Sequence, residues 1–231
     1  IAIAIGAMDN PTLDRKTQKE PIPYLGGVAI ASSITLLTFA AVIKSNNTQV
    51  TFPLAAMLLF PAIFLGAVGL VDDLRTLQPL PRLIIQTVTA IVVALFLINT
   101  DTVAIHFDST ILDELIMVFW IIGICNSINF FDNLDGGAAG TVAVSSLGIA
   151  AIALGEGQEL VAALAIVTAG STLGFLMWNK SPAKIYMGDA GALFLGIIVS
   201  VLTIRLNPGI TPQWSSIALL PMLLAVPILD T

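Results

Sequence analysis

Charge is scarce in this chain. Only 10% of its 231 residues are Asp, Glu, Lys or Arg, 57% are hydrophobic, and the mean hydropathy is +0.97. A soluble domain cannot hide that much apolar surface in one core, so the composition excludes a soluble globular protein and leaves a polytopic membrane protein. Cysteine is limited to Cys125, which sits in an apolar run, can form no intrachain disulfide and reads as a small buried hydrophobe. Histidine is limited to His106, which lies away from every acidic cluster and is set aside as a catalytic group. Positive charge is short too: 9 Lys and Arg against 15 Asp and Glu give a formal charge of -6. That balance lacks the clustered cationic excess a phosphate backbone needs, and excludes a nucleic-acid partner.

What is present is a series of apolar runs. A bilayer core of about 30 Å takes about 20 apolar residues in a helix. Such runs fall near 25–43, 53–71, 83–99, 112–128, 137–154, 159–177, 190–206 and 215–230, after a partial helix at 1–8. They are continuous rather than alternating, which disfavours a β-barrel, and short Gly, Pro, Asn and Asp clusters separate them. The expected architecture is an all-α membrane protein with eight complete spans plus an N-terminal remnant, forming one integral-membrane domain over 1–231. The opening Ile1-Ala2-Ile3, without initiator Met or basic n-region, reads as the tail of a helix rather than a signal peptide. The last apolar run ends at Asp230-Thr231, so truncation at both ends is expected. Pro61, Gly66, Gly69, Pro221 and Pro227 fall inside spans, where neighbouring helices can accommodate them.

Parity then sorts the loops. Segments 9–24, 72–82, 129–136 and 178–189 and the end at 230 share one side; 44–52, 100–111, 155–158 and 207–214 share the other. Arg15, Lys16, Lys19, Arg75, Arg82, Lys180 and Lys184 lie on the first side, and only Lys44 and Arg205 on the second. Lys/Arg excess marks the cytoplasmic face. The first side also carries Asp9, Asp14, Asp72, Asp73, Asp132, Asp135, Asp189 and Asp230. An acidic, metal-binding surface at the inner boundary of a cell membrane is the expectation, with a small external hairpin over 100–111.

Four constellations carry the chemistry. Asp72-Asp73 ends a long apolar helix, where a charge costs about 2.5–3.5 kcal/mol within the membrane and where the helix dipole is already negative. Two carboxylates there call for a cation, water or basic partners. Asn126, Asn129 and Asp132 recur every third residue, with Asp135-Gly136 following; on a helix such positions form a polar stripe suited to a nucleotide headgroup or hydrated cation, or to an interhelical hydrogen-bond ladder. Lys184, Gly188 and Asp189 fall within Pro182-Ala-Lys-Ile-Tyr-Met-Gly-Asp-Ala-Gly191. Here glycine lets backbone approach a phosphate, lysine supplies a point charge and aspartate is a hard-cation ligand. Arg15-Lys16 and Lys19 precede Pro21-Ile-Pro23-Tyr-Leu-Gly26-Gly27, a basic stretch joined to a stiff loop.

In this order the four elements, with Pro227-x-x-Asp230, resemble the polyprenyl-phosphate N-acetylhexosamine-1-phosphate transferase family, glycosyltransferase family 4, which includes WecA- and TagO-like enzymes and the related MraY translocase. The wording of the loop motifs is closer to the WecA side. Gln18 stands where a His is common, Arg82 where a Lys is usual, Gly137 for a common Leu and Ala192 for a common Ser. No carboxylate of the pattern is missing.

The resemblance implies transfer of N-acetylhexosamine-1-phosphate from a UDP-sugar, UDP-GlcNAc foremost, to polyprenyl (undecaprenyl) phosphate with release of UMP. It implies Mg2+, with Mn2+ as a substitute, and leaves a homodimer open. Asp189 is assigned to the metal with Asp72; Asp72, Asp73 and Asp132 to catalysis. Lys19, Arg82, Asn126, Asn129, Asp135, Lys184 and Gly188 are assigned to nucleotide and phosphate binding. A cation- or proton-coupled transporter is the alternative, and would place its acids near the middle of broken helices.

Overall fold

The computed structural model describes residues 2, 7–9, 20–104, 109–210, 219 and 221–229. A two-residue ribbon comes first, β1 (Met8–Asp9) paired antiparallel with β2 (Ile22–Pro23) in the register Met8 to Pro23 and Asp9 to Ile22. Seven long helices follow: α1 (Gly26–Lys44), α2 (Thr48–Leu74), α3 (Pro79–Asn99), α4 (Thr110–Phe131), α5 (Gly137–Gly155), α6 (Glu159–Asn179) and α7 (Gly188–Arg205). A short α8 (Ala225–Leu229) closes the described chain. All seven long helices have the length and composition to cross a membrane.

The helices are apolar on nearly all sides, and burial distinguishes them. In α7, 83% of the spanning window is buried, against 28% in α1 and 33% in α2. The sequence makes this possible through small residues: Gly191 and Gly196 on α7 meet Gly27 of α1 and Cys125 of α4 where any Cβ would collide. Packing chiefly against α2 and α4, with α1 on a further side, α7 is the axial post of the bundle. Its neighbours turn large side chains such as Leu36, Phe60 and Phe119 outward. On a water-soluble protein such a surface would be an aggregation hazard; on a membrane protein it is the lipid-facing wall.

Helix ends differ from the sequence expectation at several spans, including α4, which runs to Phe131 and so contains Asn129, and α7, which starts at Gly188 and so contains Asp189; two other spans differ most. The span expected at 53–71 runs from Thr48 to Leu74 and contains Pro53, Pro61 and both Asp72 and Asp73. The span expected at 83–99 begins at Pro79, so Arg82 belongs to the first turn of α3 rather than to a loop 72–82. Hydropathy marks where lipid ends, whereas backbone hydrogen bonding continues through the polar turn beyond it, and proline at the first helical position is compatible with helix. Of the eighth span expected at 215–230, residues 219 and 221–229 are described, and they carry a turn at Leu224 before the short α8 rather than one continuous long helix; 215–218, 220 and 230 lie outside the described residues, as does the core of the external hairpin at 105–108.

Candidate active site

Every long helix except α5 starts or ends with a residue that shapes one end of the bundle. At the tip of α7 the first N–H groups of the helix have no partner of their own. Two aspartates from other helices supply it. Asp73, in the last turn of α2, accepts from the N–H of Asp189 at 2.9 Å and of Ala190 at 3.1 Å. Asp132, directly after α4, accepts from the N–H of Gly188 at 3.2 Å. Carboxylates at a helix N-terminus are favoured by the dipole as well as by hydrogen bonding, which offsets the cost of placing Asp73 at the negative end of α2. Gly188 has φ +75, and a Cβ there would stand 2.6 Å from the Asp73 carboxylate, so only glycine admits this cap.

Capping α7 in this way presents the side chain of its second residue, Asp189. The guanidinium of Arg82 donates to Asp189 at 2.7 Å and to Asp72 at 2.8 Å through the same nitrogen, and to Oδ1 of Asn129 at 2.6 Å through the other. Asn129 completes the ring by donating to Asp189 at 2.5 Å. Asp72 also accepts from the Leu77 N–H at 2.6 Å, which holds the turn between α2 and α3. Residues from α2, α3, α4 and α7 thus meet in one network. Among the described residues, four carboxyl groups stand around a single guanidinium. Burial pushes the Asp132 carboxyl well above the usual carboxylate range; the Gly188 N–H opposes that rise, and nearby Asp189 and Asp73 add to it.

The remaining expected site residues are placed as follows. Asp135 accepts from the Ala183 N–H at 3.0 Å and ties the turn after α4 to the loop before α7. Lys184 lies with its ammonium 5.8 Å from the centre of the Trp178 ring, beside a groove of about 750 Å3 between α1 and α6. Asn126 is one turn deeper than Asn129 and donates to Gln86 at 3.1 Å and to the Ile122 carbonyl at 2.8 Å, forming an interhelical hydrogen bond beneath the ring. Lys19, with Arg15 and Lys16, lies outside the described residues, as do His106 and Asp230.

Sequence reasoning overlooked two residues. Gln86 is buried one turn below Arg82 on the same face of α3 and is the partner of Asn126. Asn179 ends α6, is buried, accepts from the Gly136 N–H at 3.1 Å and donates to the Ile185 carbonyl at 3.0 Å. The signal for Gln86 was its four-residue spacing from Arg82, a polar side chain in an otherwise apolar turn; Asn179 carried none beyond standing at a helix end. The loop after β2 is strapped to the same region, since Gly26 and Gly27 donate to the carbonyls of Tyr186 and Met187, and Tyr186 donates back to Pro23.

Among the described residues no three carboxylates, thiols or imidazoles form a ready-made metal cage. The donor chemistry nevertheless suits Mg2+, which binds through one or two carboxylates and otherwise keeps waters and substrate phosphates. Asp189 and Asp72, close enough to share the Arg82 nitrogen, are a pair of that kind.

A bundle of helices long and apolar enough to cross a membrane, with a carboxylate-rich hydrogen-bond network at one end, defines a multi-pass membrane protein. The chain belongs to glycosyl transferase family 4, whose model matches residues 55–207. It is 35% identical over its whole length to a Bacillus subtilis (strain 168) protein named probable undecaprenyl-phosphate N-acetylglucosaminyl 1-phosphate transferase, covering 64% of that relative. It is also 30% identical to a phospho-N-acetylmuramoyl-pentapeptide-transferase of Staphylococcus carnosus (strain TM300), over 84% of this chain and 65% of that one, and 32% identical to its namesake in Bacillus pumilus (strain SAFR-032), over 80% and 62%. The chain therefore spans less than two thirds of the length of these relatives.

Proposed function

We propose that this chain carries the catalytic core of an enzyme transferring N-acetylhexosamine-1-phosphate from a UDP-sugar, UDP-N-acetylglucosamine foremost, to a polyprenyl phosphate. The products are UMP and a lipid-linked pyrophosphoryl sugar, the starting unit of a cell-envelope glycan. The observation that supports this most is the convergence of Asp72, Arg82, Asn129 and Asp189 from four helices on one capped helix end. Fold membership and the sugar-phosphate transferase names of the relatives point the same way.

The chemical difficulty is repulsion between two phosphorylated reactants. An oxygen of the acceptor phosphate attacks the sugar-bearing phosphorus, and the bond from that phosphorus to UMP breaks. A phosphate monoester has a second pKa near about 6 and is mostly dianionic at pH 7, so the attacking oxygen needs no general base. The acceptor phosphate is already nucleophilic, which favours direct attack over a covalent aspartyl intermediate. Mg2+, held by Asp189 and Asp72, would supply neutralisation of the donor pyrophosphate and of the departing UMP. Arg82 and Asn129 orient Asp189 and offer N–H donors to phosphate oxygens. Asp73 and Asp132 fix the helix tip on which Asp189 stands. The Lys/Arg excess on the same side supports a cytoplasmic site, with the prenyl tail lying along the apolar helices.

The test is UMP release by full-length protein given polyprenyl phosphate, Mg2+ and a panel of UDP-sugars. Release that requires both substrates and the metal is expected. Ion flux in liposomes without nucleotide turnover would overturn the reading in favour of a transporter, although the acids stand at helix ends rather than at mid-span.

A further inference from the structure

The end of the bundle opposite the acidic site holds a second charged place. There α1, α2, α6 and α7 surround a cavity of about 280 Å3, walled largely by aliphatic side chains such as Val42, Leu58 and Leu164. Arg205, in the last turn of α7, and Glu159, in the first turn of α6, both line it. Among the described residues Arg205 makes no ion pair or hydrogen bond, and neither does Glu159. Thr38 contributes a buried hydroxyl that likewise lacks a partner. A part-buried guanidinium without a counter-ion is costly, and the exposed carboxylate of Glu159 at the same cavity does not pair with it.

A side-chain clamp ties the two helix ends beside this cavity. The side chain of Gln158 donates to the Asn207 carbonyl at 2.5 Å and accepts from the Asn207 N–H at 3.0 Å, locking the start of α6 to the chain just beyond α7. The cavity lies where the spans of four helices end, the depth at which lipid headgroups sit.

We propose that this cavity binds a zwitterionic phospholipid, its phosphate against Arg205 and the Thr38 hydroxyl, its ammonium against Glu159, and an acyl chain along the aliphatic wall. Charges of both signs in one cavity fit a head that carries both signs; the wall fits a tail that a soluble ion lacks. The site is independent of the transfer chemistry at the other end.

Native mass spectrometry of the detergent-solubilised protein tests this with phosphatidylethanolamine, phosphatidylglycerol and inorganic phosphate as probes. Phosphatidylethanolamine is expected to be retained in preference to phosphatidylglycerol. Arg205→Gln should weaken its retention by about tenfold or more, the scale of one charge-assisted contact, and Arg205→Lys by less. Glu159→Gln should reverse the preference toward phosphatidylglycerol. Should Arg205→Gln not yield folded protein, Thr38→Val, expected to reduce retention by about threefold, carries the test. Equal retention of the two lipids by the unaltered protein, phosphate binding as tight as lipid, retention insensitive to these substitutions, or a dimer that carries no lipid would each overturn the proposal.

Discussion

The two ends of α7 pose the same problem and resolve it differently. Each places ionised side chains where a membrane helix meets water. At the N-terminal end each of the four clustered carboxyl groups has a protein partner: Asp73 and Asp132 take the helix N–H groups, and Arg82 spans Asp72 and Asp189. At the C-terminal end Arg205 and Glu159 line one cavity without joining. The first arrangement is preorganised, its acids held by bonds within the protein. The second leaves Arg205 and Glu159 without a side-chain partner among the described residues, the feature on which the proposed lipid site rests. Charge alone does not distinguish a reaction site from a lipid site; the partners of the charges do.

The largest expected effect separates chemistry from scaffolding within the N-terminal end. Asp189→Asn keeps the size of the side chain but removes its charge, and is expected to lower UMP release by about 10²–10³-fold, the scale of one lost electrostatic contact to a reacting centre. The folded protein should persist, since the α7 caps come from other residues; a thermal melt and an activity assay on the same sample check both. Undiminished release with unchanged metal dependence would remove Asp189 from the metal. Asp73→Ala should show the opposite profile. It frees the N–H groups of Asp189 and Ala190 and is expected to cost about 2–3 kcal/mol of stability, read as a lowered midpoint, with activity falling as the tip of α7 loosens.

That division of labour among the aspartates was only partly legible in the sequence. Parity and Lys/Arg bias brought Asp72, Asp73, Asp132, Asp135 and Asp189 to one side, because hydrophobic runs count helices well. What each acid does depends on which backbone groups it meets, and nothing in Val71-Asp72-Asp73-Leu74 says that the second aspartate caps a helix more than a hundred residues later while the first takes Arg82. The stripe of Asn126, Asn129 and Asp132 divided by depth for a similar reason: one helical turn separates an amide facing the acids from one facing Gln86. Arg82 was read as a loop residue because α3 begins before the hydropathic run does.

Gly188→Ala sharpens the picture of the capped end. The added methyl meets the Asp73 carboxylate and must adopt a positive φ, so a loss of about 1–2 kcal/mol is expected, with turnover reduced because Asp189 is displaced along with the cap. A full-strength melt with full turnover would mean that the tip of α7 tolerates rearrangement and that the tight cap is not what holds the site.

The smallest expected effect probes the other end. Gln158→Ala removes both hydrogen bonds to Asn207 at an exposed position, where water replaces them, so the melt should fall by only about 1 kcal/mol. Turnover should be unchanged, because the whole length of α7 separates this clamp from Asp189. Retention of phosphatidylethanolamine should nevertheless decline, since the start of α6 is then free to shift and Glu159 can reach Arg205. An internal ion pair would occupy both groups the lipid head needs. If turnover drops as much as lipid retention does, the two ends of α7 are coupled and the contrast between a reaction site and a separate lipid site fails.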